Sequence, residues 1–298
     1  MGTPAFAVPS LERLVDAGHE VIAVYTQPDR PKGRGQKESM PPVKEAALRL
    51  NLPVHQPLKV RQPEVVAEIA AMAPDCIIVV GYGQIIPQVI LDIPPQGILN
   101  VHASLLPPLR GAAPIQWAIA NGDSTTGVTI MKIDAGLDAG DMLAKWETPI
   151  GADEASPELG GRLATAGADL LIETLSKLDS ITPEPQDPEA ATWAPVIKKE
   201  DGRIDWSRSA QDTVNRMRGF TPWPGCYGFL RGQRMHIWRA KAVDRTLPPG
   251  ELRIDNKRLF AGCGQGSLEL MEVQMEGRKR MDVSAFLNGL SLQPGDRL

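Results

Sequence analysis

Short apolar, β-branched runs separated by amphipathic stretches organise the first two thirds of the chain. Glu20 to Thr26, Asp75 to Gly81, Gly97 to His102 and Thr126 to Ile133 read as strands. Between them, Pro63 to Met72 and Ala113 to Asn121 carry helical periodicity, at lengths that suit crossover connections of a parallel sheet. Ser156 to Leu178 places Leu159, Leu163, Ala166, Leu170 and Leu175 at helical spacing and is predicted to close a first α/β domain. Residues 180–195 then bring Pro183, Pro185, Pro188 and Pro195 among acidic neighbours, a composition that resists helix and sheet and reads as a linker. Beyond it the pattern changes to one helix, Ser209 to Arg218, and short strands at Cys226 to Leu230, Met235 to Ala240 and Ser267 to Val273, as in a small β barrel. The expected organisation is a domain over 1–179, a linker over 180–202 and a second domain over 203–298. A doubly wound sheet normally opens with a central strand, whereas this chain starts in the turn chemistry of Met1-Gly2-Thr3-Pro4. A first strand is expected to be missing, with the natural chain starting upstream.

Composition narrows the class. The 298 residues are 42% hydrophobic and 23% charged, an ordinary globular balance. No apolar run approaches the roughly 20 residues a bilayer needs, and no basic segment followed by an apolar one opens the chain, so a cytoplasmic monomer is expected. Cys76, Cys226 and Cys263 have neither an even count nor metal-ligand spacing, which predicts reduced structural thiols and no metal site. The net charge of −4 hides an asymmetry: residues 1–192 carry 14 Lys or Arg against 24 Asp or Glu, a balance of −10, and residues 193–298 carry 18 against 12, a balance of +6. A basic C-terminal part raises the prospect of a polyanionic partner, with a solvated charged face as the alternative.

The candidate chemistry sits at the end of the third predicted strand. The two-residue period puts Asn100 and His102 on one face, at a carboxyl end where α/β sheets bind ligands. The run Asp134-Ala135-Gly136-Leu137-Asp138-Ala139-Gly140-Asp141 predicts a bent, exposed acidic loop. An imidazole, an amide and a carboxylate suit acyl transfer to nitrogen: His102 and Asn100 donate to a developing oxyanion, and Asp138 favours the imidazolium and relays the amine's proton. Taken singly, the histidine reads as a hydrogen-bonded core residue and the acidic loop as an ordinary turn. Gly81-Tyr82-Gly83-Gln84-Ile85-Ile86 begins like a dinucleotide fingerprint but lacks the third glycine and the acidic ribose ligand, which argues against a dehydrogenase.

The segments Asn100-Val101-His102-Ala103-Ser104-Leu105-Leu106-Pro107 and Gly136-Leu137-Asp138-Ala139-Gly140-Asp141 together resemble the folate-dependent formyltransferases. Gly2-Thr3-Pro4, Thr26-Gln27-Pro28-Asp29-Arg30, Arg110-Gly111-Ala112-Ala113-Pro114 and Thr126-Gly127-Val128-Thr129-Ile130-Met131 extend the likeness over nearly the whole chain. Ala103 stands where the family more often has glycine. The resemblance implies a Rossmann-like catalytic domain followed by an OB-like β-barrel, and a catalytic triad of Asn100, His102 and Asp138. It also implies a folate-contacting turn at Ser104, Leu105, Leu106 and Pro107, 10-formyl-tetrahydrofolate as formyl donor and methionyl initiator tRNA as acceptor. Within the basic loop Pro28 to Lys44 it points to Arg30, Lys32, Arg34 and Lys37 as tRNA contacts, joined by Arg278, Lys279 and Arg280 of the barrel, while Trp223 is assigned to the core. Other readings are a formyltransferase acting on glycinamide ribonucleotide or an amino sugar, a hydrolase of the same donor, and a catalytically idle RNA-binding protein.

Overall fold

The computed structural model describes residues 1–32, 37–289, 292–293 and 295–298. Arg34 lies outside the described residues. The chain forms two compact units: residues 1–114, 125–149 and 160–195 make the first, and residues 115–124, 150–159 and 196–298 the second. In chain order the elements up to residue 194 are α1 (Val8–Asp16), β1 (Val24–Tyr25), β2 (Arg30–Lys32), β3 (Lys37–Ser39), α2 (Pro42–Arg49), β4 (Val54–His55), α3 (Pro63–Met72), β5 (Ile77–Val79), α4 (Gln88–Leu91), β6 (Ile98–His102), β7 (Arg110–Gly111), α5 (Pro114–Asn121), β8 (Thr125–Lys132), β9 (Met142–Pro149), α6 (Ser156–Ser176) and β10 (Trp193–Ala194). Helices α1, α2 and α3 each carry proline in the first turn, where its missing N–H has no intrahelical partner to lose.

The main sheet of the first unit has the order β5-β6-β8-β9. Only β5 and β6 run parallel; β8 pairs antiparallel with β6, and β9 antiparallel with β8. The sheet is therefore mixed rather than all parallel, because the loop 133–141 folds β9 straight back onto β8. Strand β6 is buried along its whole length. One of its faces lies under α6: a Cβ on Gly167 would sit 2.9 Å from Val101 and 3.1 Å from Val128, so only glycine lets the helix approach this closely. Alternation then turns Asn100 and His102 to the opposite face.

Beyond β5 the ladder changes character. Strand β1 pairs with β4 in a separate two-stranded sheet, and between β1 and β5 run only Met1 and Gly2. The Gly2 N–H donates to Tyr25 O at 2.9 Å, the Val80 N–H donates to Met1 O at 2.9 Å, and the Met1 amine donates to Ile78 O at 2.6 Å. The predicted strand Glu20 to Thr26 contracts to Val24–Tyr25. A cavity of about 720 Å³ lies there, lined by residues 19–25 and 72–78 with Leu11, Leu14 and Leu175. In a chain that starts at Met1, burial lowers its amine to about 5. Tyr25, Val60, Val65, Ile69, Ile77, Val79 and Tyr82 form the adjoining core.

The proline-rich stretch 180–195 belongs to the first unit. Its Glu184 exchanges backbone hydrogen bonds with Met142, at 2.8 and 2.9 Å, and β10 pairs parallel with β7. In the second unit, α7 (Ala210–Gly219) starts at Ser209, whose hydroxyl accepts from the Asp212 N–H at 3.0 Å, and ends with Arg216 and Arg218 in its last turn. There follow β11 (Cys226–Leu230), β12 (Gln233–Val243), β13 (Leu252–Asp255), β14 (Arg258–Gly262), β15 (Ser267–Met275), β16 (Met281–Asp282) and α8 (Val283–Leu287). The strands form one antiparallel six-stranded sheet in the order β11-β12-β15-β14-β13, with β16 added to β15. Trp223 is 57% exposed rather than part of the core, because its neighbour Pro224 is the buried residue and packs against Gly202.

Candidate active site

Strand β6 delivers two polar side chains into a buried environment: Asn100 is 9% and His102 5% exposed. They sit opposite Met131 and Thr129 of β8. The turn that follows is tied to the same strand, since the Thr129 hydroxyl donates to Ser104 O at 2.7 Å and accepts from the Leu106 N–H at 3.1 Å. Ser104 and Leu106 are themselves buried, the serine donating to Pro108 O at 2.7 Å and Leu106 packing with Met131 and Met142. Leu105 and Pro107 are half-buried, and Leu105 lies over Gly127, where a Cβ would come within 2.5 Å of it. Of the four residues expected to contact folate, Leu105 and Pro107 thus present side-chain surface, and Ser104 and Leu106 shape the turn.

Asp138 comes from the loop joining β8 to β9 and has φ +49, a left-handed conformation that carboxamide and carboxylate residues tolerate better than most. Its Oδ1 accepts from Asn100 Nδ2 at 3.4 Å and its Oδ2 from the Gly111 N–H at 2.9 Å. His102 Nδ1 stands 3.8 Å from Asp138 Oδ2, beyond a direct hydrogen bond and within close electrostatic reach. The other ring nitrogen, Nε2, is 3.0 Å from Leu109 O. A carbonyl can only accept, so Nε2 carries a proton, and in the neutral ring Nδ1 is the basic atom turned toward Asp138. The three residues singled out by the sequence therefore converge.

Several residues around them went unnoticed in the sequence. Gln186 donates through Nε2 to Asp138 O at 2.9 Å and Gly140 O at 2.8 Å, while its Oε1 accepts from Arg110 at 3.0 and 2.7 Å. The Thr192 hydroxyl accepts from the Leu109 N–H at 2.9 Å, and Thr192 O from the Arg110 N–H at 2.9 Å. Gly140 has no room for a side chain, since a Cβ would lie 2.0 Å from Lys132 O. The only signal for this set was the pair of polar residues, Gln186 and Thr192, inside a proline-rich stretch that reads as a linker.

The basic residues are distributed differently. Strands β2 and β3 pair antiparallel and include Arg30, Lys32 and Lys37, and the Arg30 guanidinium donates to Gln27 Oε1 at 3.3 Å. At its base Lys44 pairs with Asp29 at 2.6 Å, and with Gln56 this holds the Asp29 carboxyl below the usual carboxylate range. A second cavity of about 540 Å³ lies beside β2, lined by Thr3, Gln27, Arg30, Met40 and Tyr82 among others. In the second unit Arg278 and Lys279 lie in the turn that follows β15, and Arg280 pairs with Glu272 at 2.5 Å while stacking over Trp238 at 5.0 Å. Among the described residues no group of three His, Cys, Asp or Glu side chains could hold a metal ion.

The formyl transferase family model matches residues 1–175, and the model of the formyl transferase C-terminal domain matches residues 196–291. The chain is 57% identical to a methionyl-tRNA formyltransferase of Koribacter versatilis, covering 100% of this chain and 96% of that protein. It is 52% identical to one of Geobacter sulfurreducens, covering 100% and 95%. Among solved structures, the N-formyltransferase from Helicobacter canadensis in complex with folinic acid and dTDP-3-aminofucose superposes with a TM-score of 0.66 at 15% identity, over 92% of this chain and 97% of that one. HypX from Aquifex aeolicus in complex with tetrahydrofolic acid superposes with a TM-score of 0.57 at 22% identity, over 82% and 43%. With both family models matched in order and relatives more than half identical along its whole length, the chain belongs to the formyl transferase family.

Proposed function

We infer that this chain transfers the formyl group of 10-formyl-tetrahydrofolate to the α-amino group of methionyl initiator tRNA. The acceptor follows from full-length identity above 50% to relatives that bear that name. The chemistry rests on one observation: His102 gives Nε2 to the Leu109 carbonyl and turns Nδ1 toward Asp138, beside the Asn100 amide. In the reaction the amine nitrogen bonds to the formyl carbon, and the formyl oxygen takes up negative charge. An imidazolium Nδ1–H of His102 and the Asn100 amide donate to that oxygen, each such donor worth roughly 10²–10³ in rate. Asp138, which already accepts from Asn100 and Gly111, favours the imidazolium and receives the amine's proton, directly or through water. The bond from the formyl carbon to the folate nitrogen then breaks, and the proton passes to that nitrogen. Atoms and charge balance without a covalent enzyme intermediate.

Leu105 and Pro107 are the side chains of the 104–107 turn available to the folate. Arg30 and Lys32 of β2, Lys37 of β3 and Arg34, with Arg278, Lys279 and Arg280, supply positive charge toward the phosphates of tRNA. Arg280, already paired with Glu272, contributes less than its two neighbours. The test is formyl transfer from 10-formyl-tetrahydrofolate to methionyl initiator tRNA, run beside glycinamide ribonucleotide and a nucleotide-linked amino sugar. Transfer to the tRNA alone supports the reading. Transfer to either small amine with none to tRNA overturns the acceptor while leaving the chemistry of the site standing.

A further inference from the structure

The segment from Glu184 to Ala194 does more than follow the first unit's last helix. It lies along the catalytic turn as a strap: Glu184 is laddered to Met142, Gln186 spans Arg110 and the Asp138 loop, Thr192 binds the backbone of Leu109 and Arg110, and the Ala113 N–H donates to Ala194 O at 3.2 Å. A Cβ on Gly111 would meet Ala194 O at 2.7 Å, so the strap and the turn are in backbone contact.

Two of these bonds reach the reacting side chains through a single intermediary. Leu109 sits at φ +62, an unfavourable conformation for a branched side chain that must be held by its surroundings. Its N–H is fixed by Thr192 Oγ1, and its carbonyl in turn fixes His102 Nε2. Asp138, at φ +49, is held through its own carbonyl by Gln186 Nε2, which also takes Gly140 O. Gln186 cannot swivel freely, because its Oε1 is engaged by both Nε and Nη2 of the buried Arg110. One strap therefore sets two quantities at once: which nitrogen of His102 carries the proton, and where the Asp138 carboxylate stands relative to it.

We propose that Gln186 and Thr192 are positioning residues of this site, holding the Asp138 loop and the Leu109 carbonyl so that His102 keeps its proton on Nε2 and faces Asp138 through Nδ1. The proposal rests on the reading that His102 and Asp138 carry the transfer, and neither strap residue touches the reacting atoms. Its chemical consequence is specific. Releasing the strap leaves the turn laddered to Thr129 and substrate surfaces intact, and it misplaces the catalytic pair.

Three variants of the full chain test it. Thr192→Val keeps shape and the β7–β10 pairing but removes the acceptor for Leu109; Thr192→Ser restores that acceptor; Gln186→Glu keeps the acceptor for Arg110 and removes both donors to the Asp138 loop. The expected result is a fall in kcat of about tenfold or more for Thr192→Val and Gln186→Glu, with KM for folate donor and tRNA within about twofold, and recovery in Thr192→Ser. Nitrogen-15 spectra of the histidine rings supply a readout that a merely structural role would not move: His102 is expected as the Nε2–H tautomer in the unaltered protein and Thr192→Ser, and as a mixture in Thr192→Val. An unchanged kcat in both Thr192→Val and Gln186→Glu, or a lost kcat with an unchanged tautomer in Thr192→Val, overturns the proposal. His102→Gln and Asp138→Asn run alongside separate the two levels: if they retain full transfer the reading of the site itself falls, whereas if they lose it and the strap variants do not, only the strap proposal falls.

Discussion

The two sides of strand β5 behave as different materials. Toward β6, β8 and β9 the ladder is continuous, the helix α6 closes on it through Gly167, and Asp138 accepts from both the Asn100 amide and the Gly111 N–H. Toward β1 the ladder is two residues long, Met1 and Gly2, and a cavity of about 720 Å³ opens beside it. Both sides belong to one unit. The difference predicts that the geometry of the candidate site follows the strand pairing next to it, and that changes on the β1 side act on stability without moving it.

That division can be broken at four places. The largest effect belongs to His102→Ala, expected to lower transfer by roughly 10²–10⁴; steady-state kinetics with methionyl initiator tRNA measure it, and near-normal rates would remove the chemistry from β6. Next comes Gly167→Val, which drives a branched side chain into Val101 and Val128. It is expected to cost about 1–3 kcal/mol in chemical denaturation and to lower kcat as well, because β6 moves with its packing. Loss of stability with kcat intact would show that the site tolerates displacement of its own strand.

On the opposite side, Ala23→Val adds two carbons beside the cavity. It is expected to stabilise by about 1 kcal/mol while kcat stays within about twofold. A matching change in kcat would couple the two sides. The last test leaves kcat aside and reads pH dependence. In a chain that starts at Met1, the buried amine is lowered from 8.0 to about 5, so between these values the unfolded state holds a proton that the folded state does not. Stability therefore falls as pH drops from 8 to 5 and levels off below. A chain carrying residues before Met1 has no amine there and should show a shallower slope; identical slopes would contradict the burial of that group.

Much of the site was legible because a strand writes its two faces into the sequence with a period of two. Asn100 and His102 had to share a face wherever Gly97 to His102 ran as a strand, and Val101 between them had to pack elsewhere. Asp138 was legible as part of a bent acidic loop, and its place beside His102 as a resemblance. The seven basic residues were visible as charge, but charge alone does not reveal that Arg280 is already paired and stacked. Trp223 was misread because flanking prolines say nothing about which neighbour turns inward.

By itself, then, the amino-acid order determined the local elements, the shared face of Asn100 and His102 and the family signature. Only the tertiary structure decided that β8 and β9 run antiparallel and that a proline-rich stretch straps the turn after β6. The bond from Gln186 to Asp138 spans 48 residues and that from Leu109 to Thr192 spans 83. Proline and acidic content predict how such a stretch avoids regular structure locally, but its partners are chosen by which unpaired backbone groups the folded sheet leaves within reach.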